Sequence, residues 1–353
     1  MTTKSFKIGI IGAGVIADFH AQAIQGMEGA ELAAAFARND DKARVFAEKY
    51  GCTDYSDINS FLQHPEMEVV TIASVSGAHL EHASSAAKAG KHIICEKPLE
   101  VTTDRIDQMI EVCAENNVSL SGIFPRRFND STYIFKKAIE GGRLGKIILC
   151  DTAIKWWRSQ EYYDSGAWRG TWDLDGGGAL MNQSIHTIDL MLYLLGDVTS
   201  VTASGGLEAH EGIEVEDVAV AIVEFKSGAR GVIQASTACY SNTGLPASIH
   251  ICGDQGSIMM VDDKFSVWDL KHHQAEDEKI LAQHGVYENT SGAGAADPKA
   301  IDFVWHQRNF ENALDALRNN KKPEVDGKEG RRAVELITAI YQSIQNGGTR
   351  VSL

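Results

Sequence analysis

Basic residues are in deficit. Lys and Arg total 33 against 48 Asp and Glu, a net charge of −15 over 353 residues. A nucleic-acid or anionic-membrane partner needs a basic face, so both are excluded as expected partners. A local Arg cluster can still oppose the global sign and receive an anionic small molecule. Cysteine is sparse and unpatterned. Cys52, Cys95, Cys113, Cys150, Cys239 and Cys252 form no C-x-x-C, which speaks for reduced thiols rather than a disulfide frame or a zinc site. No apolar run reaches membrane-spanning length, and "MTTKSFKIGIIG" leads straight into a strand pattern without a leader. A cytoplasmic protein is expected. No metal is expected either: the close histidines, His272 with His273 and His79 with His82, lack a convincing third ligand. No G-x-S-x-G nucleophile motif, internal repeat or low-complexity tract is found.

What is there reads as two domains. In the first third, "KIGIIGA", "ELAAAFA", "VVTIAS" (69–74), "HIICEKP" (92–98) and "SLSGIF" (119–124) are apolar strand patterns. Helical patterns separate them at 15–25, in "DDKARVFAEKYG" closed by Gly51, and near 79–89 and 103–116. Strands alternating with helices predict a parallel, doubly wound sheet. Beyond residue 124 the strands alternate polar and apolar and follow one another through turns such as Lys226-Ser227-Gly228, which predicts an antiparallel sheet. The expected fold is therefore an α/β Rossmann domain over 1–124, followed over 125–353 by an α+β domain with a large open, mostly antiparallel sheet. "NTSGAGAADPKA" (289–300) reads as a mobile loop. Amphipathic helices follow at about 302–318 and 328–346, the last able to dock back on the first domain.

Three clusters carry chemistry. Gly12-Ala13-Gly14-Val15-Ile16-Ala17 matches G-x-G-x-x-A between a strand and a helix. The glycines permit a tight turn and close approach of a pyrophosphate to the free N–H groups of a helix start. After the second strand stand Ala37, Arg38 and Asn39, with no acid before Asp40. An acid there reads the ribose 2′-hydroxyl, whereas Arg38 suits a 2′-phosphate, which slightly favours NADP over NAD. Asp40 or Asp41 remains the alternative for the ribose.

Glu96-Lys97-Pro98 follows an apolar strand, where such sheets face their ligand crevice. Lys97 there can stabilise developing alkoxide charge; an exposed Glu–Lys pair on a loop is the plain alternative. In "GGGALMNQSIHTIDLMLYLLG" (176–196), helical spacing of about 100° per residue puts Asn182, His186 and Asp189 in one sector of an otherwise apolar helix. His186 is suited to take a proton near neutral pH, or is a core histidine satisfied by Asp189. In "KWWRSQEYYDSGAWRGTWDLDGGG", Arg158, Tyr162, Tyr163, Trp168 and Arg169 suit a sugar or acidic sugar, by ring stacking and guanidinium contacts, or else a subunit interface. Arg126 and Arg127 add cationic donors.

These residues together resemble the glucose–fructose oxidoreductase / inositol dehydrogenase / MocA family. Four features match in order over essentially the whole chain: the G-x-G-x-x-A turn, the run from His79 to Leu99 ending "AGKHIICEKPL", Arg126-Arg127-Phe128, and G-G-G-x-L-M-N-Q-x-x-H-x-x-D from Gly176 to Asp189. The resemblance implies NAD(P)-dependent hydride transfer at a sugar, sugar acid or cyclic polyol carbon. It implies Lys97 and His186 as catalytic residues. For the cofactor it implies Gly12, Gly14, Val15, Ile16, Ala37, Arg38, Asn39, Ser74, His79, Glu96 and Lys97. For the substrate it implies Arg127, Arg158, Tyr163, Trp168, Arg169, Asn182 and His186. It also implies a homodimer or homotetramer formed through the C-terminal sheet. Two departures stand out. Asn182 replaces the Asp that many members carry four residues before the histidine, and Ser74-Val75-Ser76 replaces a common T-P-N. The M-N-Q-x-x-H version is similar to members acting on sugar-nucleotide uronic acids and related pyranosides. A glycosidase that retains NAD and oxidises transiently, and a nicotinamide- or sugar-sensing regulator, are the alternatives on the same scaffold.

Overall fold

The computed structural model describes residues 4–286 and 303–353. The glycine- and alanine-rich stretch 289–300 lies outside the described residues. The chain divides into two compact units, one of residues 4–125 with 303–331 and one of 126–286 with 332–353.

The first unit is built on six parallel strands: β1 Phe6–Ile11, β2 Ala30–Phe36, β3 Thr53–Tyr55, β4 Met67–Ile72, β5 His92–Cys95 and β6 Leu120–Gly122. Their order is β3-β2-β1-β4-β5-β6. Sequence order reverses between β1 and β4, and ligands of open α/β sheets bind outside the strand ends at such a point. Ile8, Ile10, Val69 and Ile94 are fully buried because helices cover the sheet. The helix Val15–Gln25 buries Ala17, Ala21 and Ile24 in the same core. The helix Val304–Arg318 adds Phe310, Ala313 and Leu314 to it. Its Asn309 accepts from the Phe124 backbone N–H at 2.8 Å and donates to the Gly122 carbonyl at 3.2 Å, tying the chain's distant end to β6. The helix Asp40–Tyr50 stops at Gly51, whose φ of +71° forms a left-handed cap open to glycine.

The second unit holds β7 Ile147–Lys155, β8 Val198–Gly206, β9 Val218–Phe225, β10 Arg230–Ser236, β11 Ser248–Gly253, β12 Gly256–Val261, β13 Lys264–Leu270 and β14 Val351–Ser352. The order is β13-β12-β11-β7-β10-β9-β8-β14. All pairs are antiparallel except β10 with β7. Strand burial alternates, as expected of a sheet with one covered face. The outer face carries Leu149, Val220 and Ile222, which share one side of the register and are 40%, 46% and 55% exposed. Among the described residues no helix is long and apolar enough to cross a membrane.

Candidate active site

The first unit supplies a nucleotide cradle. β1 ends in Gly12, whose φ is +118° and whose N–H bonds the Phe36 carbonyl at 2.8 Å. A Cβ there would stand 2.5 Å from the Ala73 carbonyl oxygen, so the turn requires glycine twice over. Gly14 is the N-cap of the helix Val15–Gln25, and no side chain caps that helix start. A Cβ on Gly14 would meet nothing within 4 Å. Uncapped N–H groups, the positive end of the helix dipole and open space in front make a fitting seat for a pyrophosphate. Val15 is exposed and Ile16 half-buried behind this turn. After β2, Ala37 bonds the Tyr55 carbonyl through its N–H, and Arg38 is exposed. The Asn39 side chain accepts from the Lys42 N–H at 2.9 Å, capping the next helix.

At the end of β4, the Ser74 hydroxyl bonds His82 Nδ1 at 3.1 Å. His79 is buried, with Nδ1 3.0 Å from the Pro98 carbonyl and Nε2 3.2 Å from that of Ser74, so its ring ties two strand-end loops together. The sequence places His79 on the cofactor; its side chain is turned inward to this tie. Glu96 likewise points inward: it is 4% exposed, and its carboxylate accepts from the Lys97 N–H at 2.9 Å and bonds His20 Nε2 at 2.9 Å. Burial pushes the Glu96 carboxyl up, but the hydrogen bond from His20 and the charges of His20, His306 and Lys97 outweigh it and bring it to about 2. The Lys97–Pro98 peptide is cis, and Lys97 is half-buried.

The second unit supplies the glycine turn and the polar helix. A Cβ on Gly178 would run into the Glu216 carbonyl oxygen, and one on Gly177 into the Tyr341 hydroxyl. The Glu216 carboxylate accepts from the N–H groups of Gly178 at 3.0 Å and Leu180 at 2.8 Å, and from the Tyr341 hydroxyl at 3.1 Å. These bonds satisfy donors at the start of a helix that no side chain within it caps. Burial pushes the Glu216 carboxyl up to about 7.

The helix itself departs from the spacing used to read it. Ala179–Ser184 is a π-helical turn, and the α-helix proper is Ile185–Leu195. Asn182 and His186 are both partly exposed, whereas Asp189 is buried against Arg127, so Asp189 drops out of the expected Asn182–His186–Asp189 stripe. Gln183 in the π turn is partly exposed as well, so Asn182 and Gln183 of the turn and His186 of the α-helix's first turn are the partly exposed polar residues here. Asn182 donates to Asp175 and accepts from Gln183 Nε2 at 2.6 Å. Gln183 also donates to the Tyr162 hydroxyl at 3.0 Å and accepts from Arg158 Nη2 at 2.9 Å. Arg169 donates to the same hydroxyl at 2.7 Å, and its guanidinium lies 4.2 Å from the Tyr162 ring centre and 4.5 Å from that of Trp168. A continuous polar array thus runs from Asp175 through Asn182, Gln183 and Tyr162 to Arg158 and Arg169.

Two expected substrate residues stand elsewhere. Tyr163 is buried, with its hydroxyl 2.8 Å from Thr237 Oγ1 and its ring edge-on to His210, so Tyr162 takes the place the sequence reading assigns to its neighbour. Arg127 is buried against Asp189 and Tyr193, with its donors turned inward rather than toward a ligand. Arg126 bonds Thr187 Oγ1 at 2.9 Å and the Asp262 carbonyl at 2.6 Å. Gln183 and Asp175 were not singled out from sequence. Gln183 lies inside the M-N-Q motif, which is the signal that points to it.

Comparison with known proteins bears on the family and the fold. Residues 6–124 match the family model of the oxidoreductase NAD-binding Rossmann fold, and residues 136–353 match that of the oxidoreductase C-terminal alpha/beta domain. The chain is 32% identical over 258 residues to a myo-inositol 2-dehydrogenase of Thermotoga maritima, covering 71% of this chain and 74% of that protein. It is 26% identical to a D-glucoside 3-dehydrogenase of Escherichia coli, over 100% of this chain and 99% of the other. Among solved structures, the WlbA dehydrogenase of Bordetella pertussis, in complex with NADH and UDP-GlcNAcA, is similar with a TM-score of 0.90 and 31% identity, over 100% of this chain and 99% of that one. The chain belongs to the glucose–fructose oxidoreductase / inositol dehydrogenase / MocA family of oxidoreductases, with an NAD-binding Rossmann part ahead of the family's C-terminal alpha/beta domain.

Proposed function

We propose that the protein is an NAD(P)-dependent dehydrogenase acting on a ring CH–OH of a sugar, sugar acid or cyclic polyol. The observation that carries this reading is the partly exposed edge of Asn182, Gln183 and His186 on a largely buried helical segment, backed by Arg158, Tyr162 and Arg169. Polar groups held this way on a buried element need an oxygen-rich ligand to face. The bound nicotinamide supplies the acceptor or donor of hydride. His186 takes the proton of the reacting hydroxyl. Lys97 donates a hydrogen bond to the same oxygen, which lowers the cost of its negative charge. Asn182 lacks the charge of a carboxylate base, so it orients substrate and leaves the proton to His186. Gly12, Gly14, Val15 and Ile16 seat the pyrophosphate; Ala37, Arg38 and Asn39 border the adenosine ribose; Ser74 and Lys97 border the nicotinamide end, with the inward-turned side chains of His79 and Glu96 bracing their loops from behind.

Within this class we place a uronic acid carried on a nucleotide first. Arg158 and Arg169 supply guanidinium groups for a carboxylate, and Trp168 and Tyr162 supply ring faces for a pyranose. The similar WlbA dehydrogenase was solved with UDP-GlcNAcA. Arg38 supports NADP(H), and the NADH in that same structure supports NAD(H). The apolar outer face of Leu149, Val220 and Ile222 supports a homodimer or homotetramer through the sheet. All six cysteines are free thiols, in keeping with a cytoplasmic setting.

The test is a fluorescence titration with NADH and NADPH, then a panel of nucleotide-linked uronic acids, free uronic acids and cyclic polyols followed at the nicotinamide absorbance. Net redox turnover on a panel member, abolished in Lys97→Ala and His186→Ala with cofactor binding retained, is expected. Tight cofactor binding with no net redox on any panel member would overturn the reading.

A further inference from the structure

Two neighbouring acids, Glu216 and Asp217, stand just before β9, and both are buried. Glu216 spends its acceptors on one segment. Its carboxylate takes the N–H groups of Gly178 at 3.0 Å and Leu180 at 2.8 Å, and its backbone carbonyl takes that of Ala179 at 3.0 Å. Three successive donors at the start of the π turn are thus held by a single residue. The Tyr341 hydroxyl donates to the same carboxylate at 3.1 Å. A Cβ on Gly178 would run into the Glu216 carbonyl oxygen, so only glycine lets the turn come this close.

Asp217 works on the other half of the array. It accepts from the N–H groups of Glu208 at 2.9 Å, Ala209 at 2.8 Å and His210 at 3.1 Å, and its Oδ2 lies 2.9 Å from His210 Nδ1. His210 Nε2 stands 2.7 Å from the Arg158 carbonyl oxygen. A second route runs through the backbone. The Asp217 carbonyl accepts from the Thr237 N–H at 2.9 Å, and the Thr237 carbonyl accepts from the Arg158 N–H at 2.9 Å. Both backbone groups of Arg158 are therefore tied, at one remove, to Asp217. The two tied segments meet where Arg158 Nη2 donates to Gln183 Oε1 at 2.9 Å.

Burying two carboxylates is costly, and a serine or asparagine at the cap would satisfy a helix start without that cost. What the adjacent pair adds is a fixed spacing between the turn that carries Asn182 and Gln183 and the backbone that carries Arg158. Groups that bind a ligand need such support, held to a fraction of an ångström. We propose that Glu216 and Asp217 are positioning residues for the ligand-facing array, Glu216 holding the turn of Asn182 and Gln183, and Asp217 holding Arg158 through His210 and Thr237. The role rests on the reading of that array as the substrate face.

The experiment makes Glu216→Gln and Asp217→Asn in the full-length protein, assayed at about pH 8, above the Glu216 titration at about 7. In each variant an amide nitrogen replaces an acceptor oxygen and faces a backbone N–H. Turnover is followed with NAD and UDP-GlcNAcA, or with whichever uronic acid or polyol of the panel the parent turns over. KM for the sugar is expected to rise roughly tenfold, with kcat changed by less than about threefold and NADH affinity unchanged. A merely structural role would lower the active fraction, and so kcat, at unchanged KM, and that result overturns the proposal. Amide hydrogen exchange read by peptide mass spectrometry needs no substrate. Faster exchange is expected at 176–184 in Glu216→Gln and at 155–160 in Asp217→Asn, with β11 and β12 as in the parent. Exchange unchanged at those segments, or raised equally at β11 and β12, overturns the proposal. Should either variant not fold, judged by circular dichroism and NADH fluorescence, Tyr341→Phe stands in for the first and His210→Phe for the second. Each keeps an aromatic ring and removes its hydrogen bonds, so a smaller change in the same direction is expected and its absence overturns the proposal. A parent that turns over no panel member overturns the dehydrogenase reading instead, and the exchange pattern alone then decides whether the two acids hold their segments.

Discussion

Arg127 donates through Nε and Nη2 to the two carboxylate oxygens of Asp189, at 2.8 and 2.5 Å, with both side chains buried. Asp189 sits one turn beyond His186, so this pair fixes the roll of the helix that carries His186, the proposed proton acceptor. A buried pair of this geometry adds little over apolar packing, but removing one partner strands the other's charge. Asp189→Leu is expected to lower stability by about 3–5 kcal/mol, and the double variant Arg127→Met/Asp189→Leu to recover most of that loss. Denaturant melts of the three proteins check it; a single-variant loss under about 1 kcal/mol would show that Arg127 finds another partner.

Much of this was legible in the chain, for identifiable reasons. The strand–glycine–helix start, the Gly51 cap and the alternation of buried strands with helices depend on local rules, and residues 6–124 obey them. The helix after the glycine run was legible as an element but not in register. Its π turn is held by Glu216, a residue nearly 40 positions away that no local pattern links to Gly178. Tyr162 and Tyr163 could not be ranked from sequence because neighbouring residues on a five-residue helix point to different sides. Asp254 and Gln255 turn the alternating run 248–261 into the pair β11 and β12. Nothing local places His306 beside Glu96, because an amphipathic helix shows which of its faces is apolar and not which sheet receives it.

The glycines of the first turn separate folding from binding. Gly12→Ala puts a methyl against the Ala73 carbonyl in a backbone of positive φ, so a loss of several kcal/mol is expected. Gly14→Ala meets open space and an ordinary φ of −95°, so its melting temperature should stay near the parent's. The added methyl occupies the seat in front of the helix start, and NADH affinity should fall at least tenfold, by about 1.4 kcal/mol. Paired thermal melts and NADH titrations decide; Gly14→Ala that binds normally would move the pyrophosphate elsewhere.

Glu216 makes stability depend on pH in an unusual sense. Its carboxyl titrates at about 7 in the folded protein against a usual value of 4.5. Between those values the native state keeps a proton that the unfolded chain has released. The contribution is full below about pH 4.5 and is lost as pH rises through about 7, on the order of 3 kcal/mol in all. Subtracting the Glu216→Gln stability curve from the parent's, by denaturant melts across this window, should leave a difference that falls with rising pH. A flat difference would mean that the N–H groups of Gly178 and Leu180 hold the carboxylate ionised.

Asn182 stands where many family members carry Asp, and Asp175 explains why the amide suits this chain. Asp175 Oδ1 receives the Asn182 amide, and Oδ2 receives the Gly170 N–H at 2.9 Å. Asn182→Asp would leave two acceptors facing each other with no proton between them above the carboxylate range. Two carboxylates at this separation raise one another's proton affinity, so the variant should bind an extra proton on folding. Its stability should lie near the parent's at low pH and fall below it by about 1–3 kcal/mol as pH rises past the usual carboxylate range. Melts over that range read the divergence, and Asp175→Asn added to Asn182→Asp should abolish it by returning a donor to the pair. If the divergence survives in the double variant, the repulsion arises from another carboxylate and the pairing of Asn182 with Asp175 does not set the choice of residue.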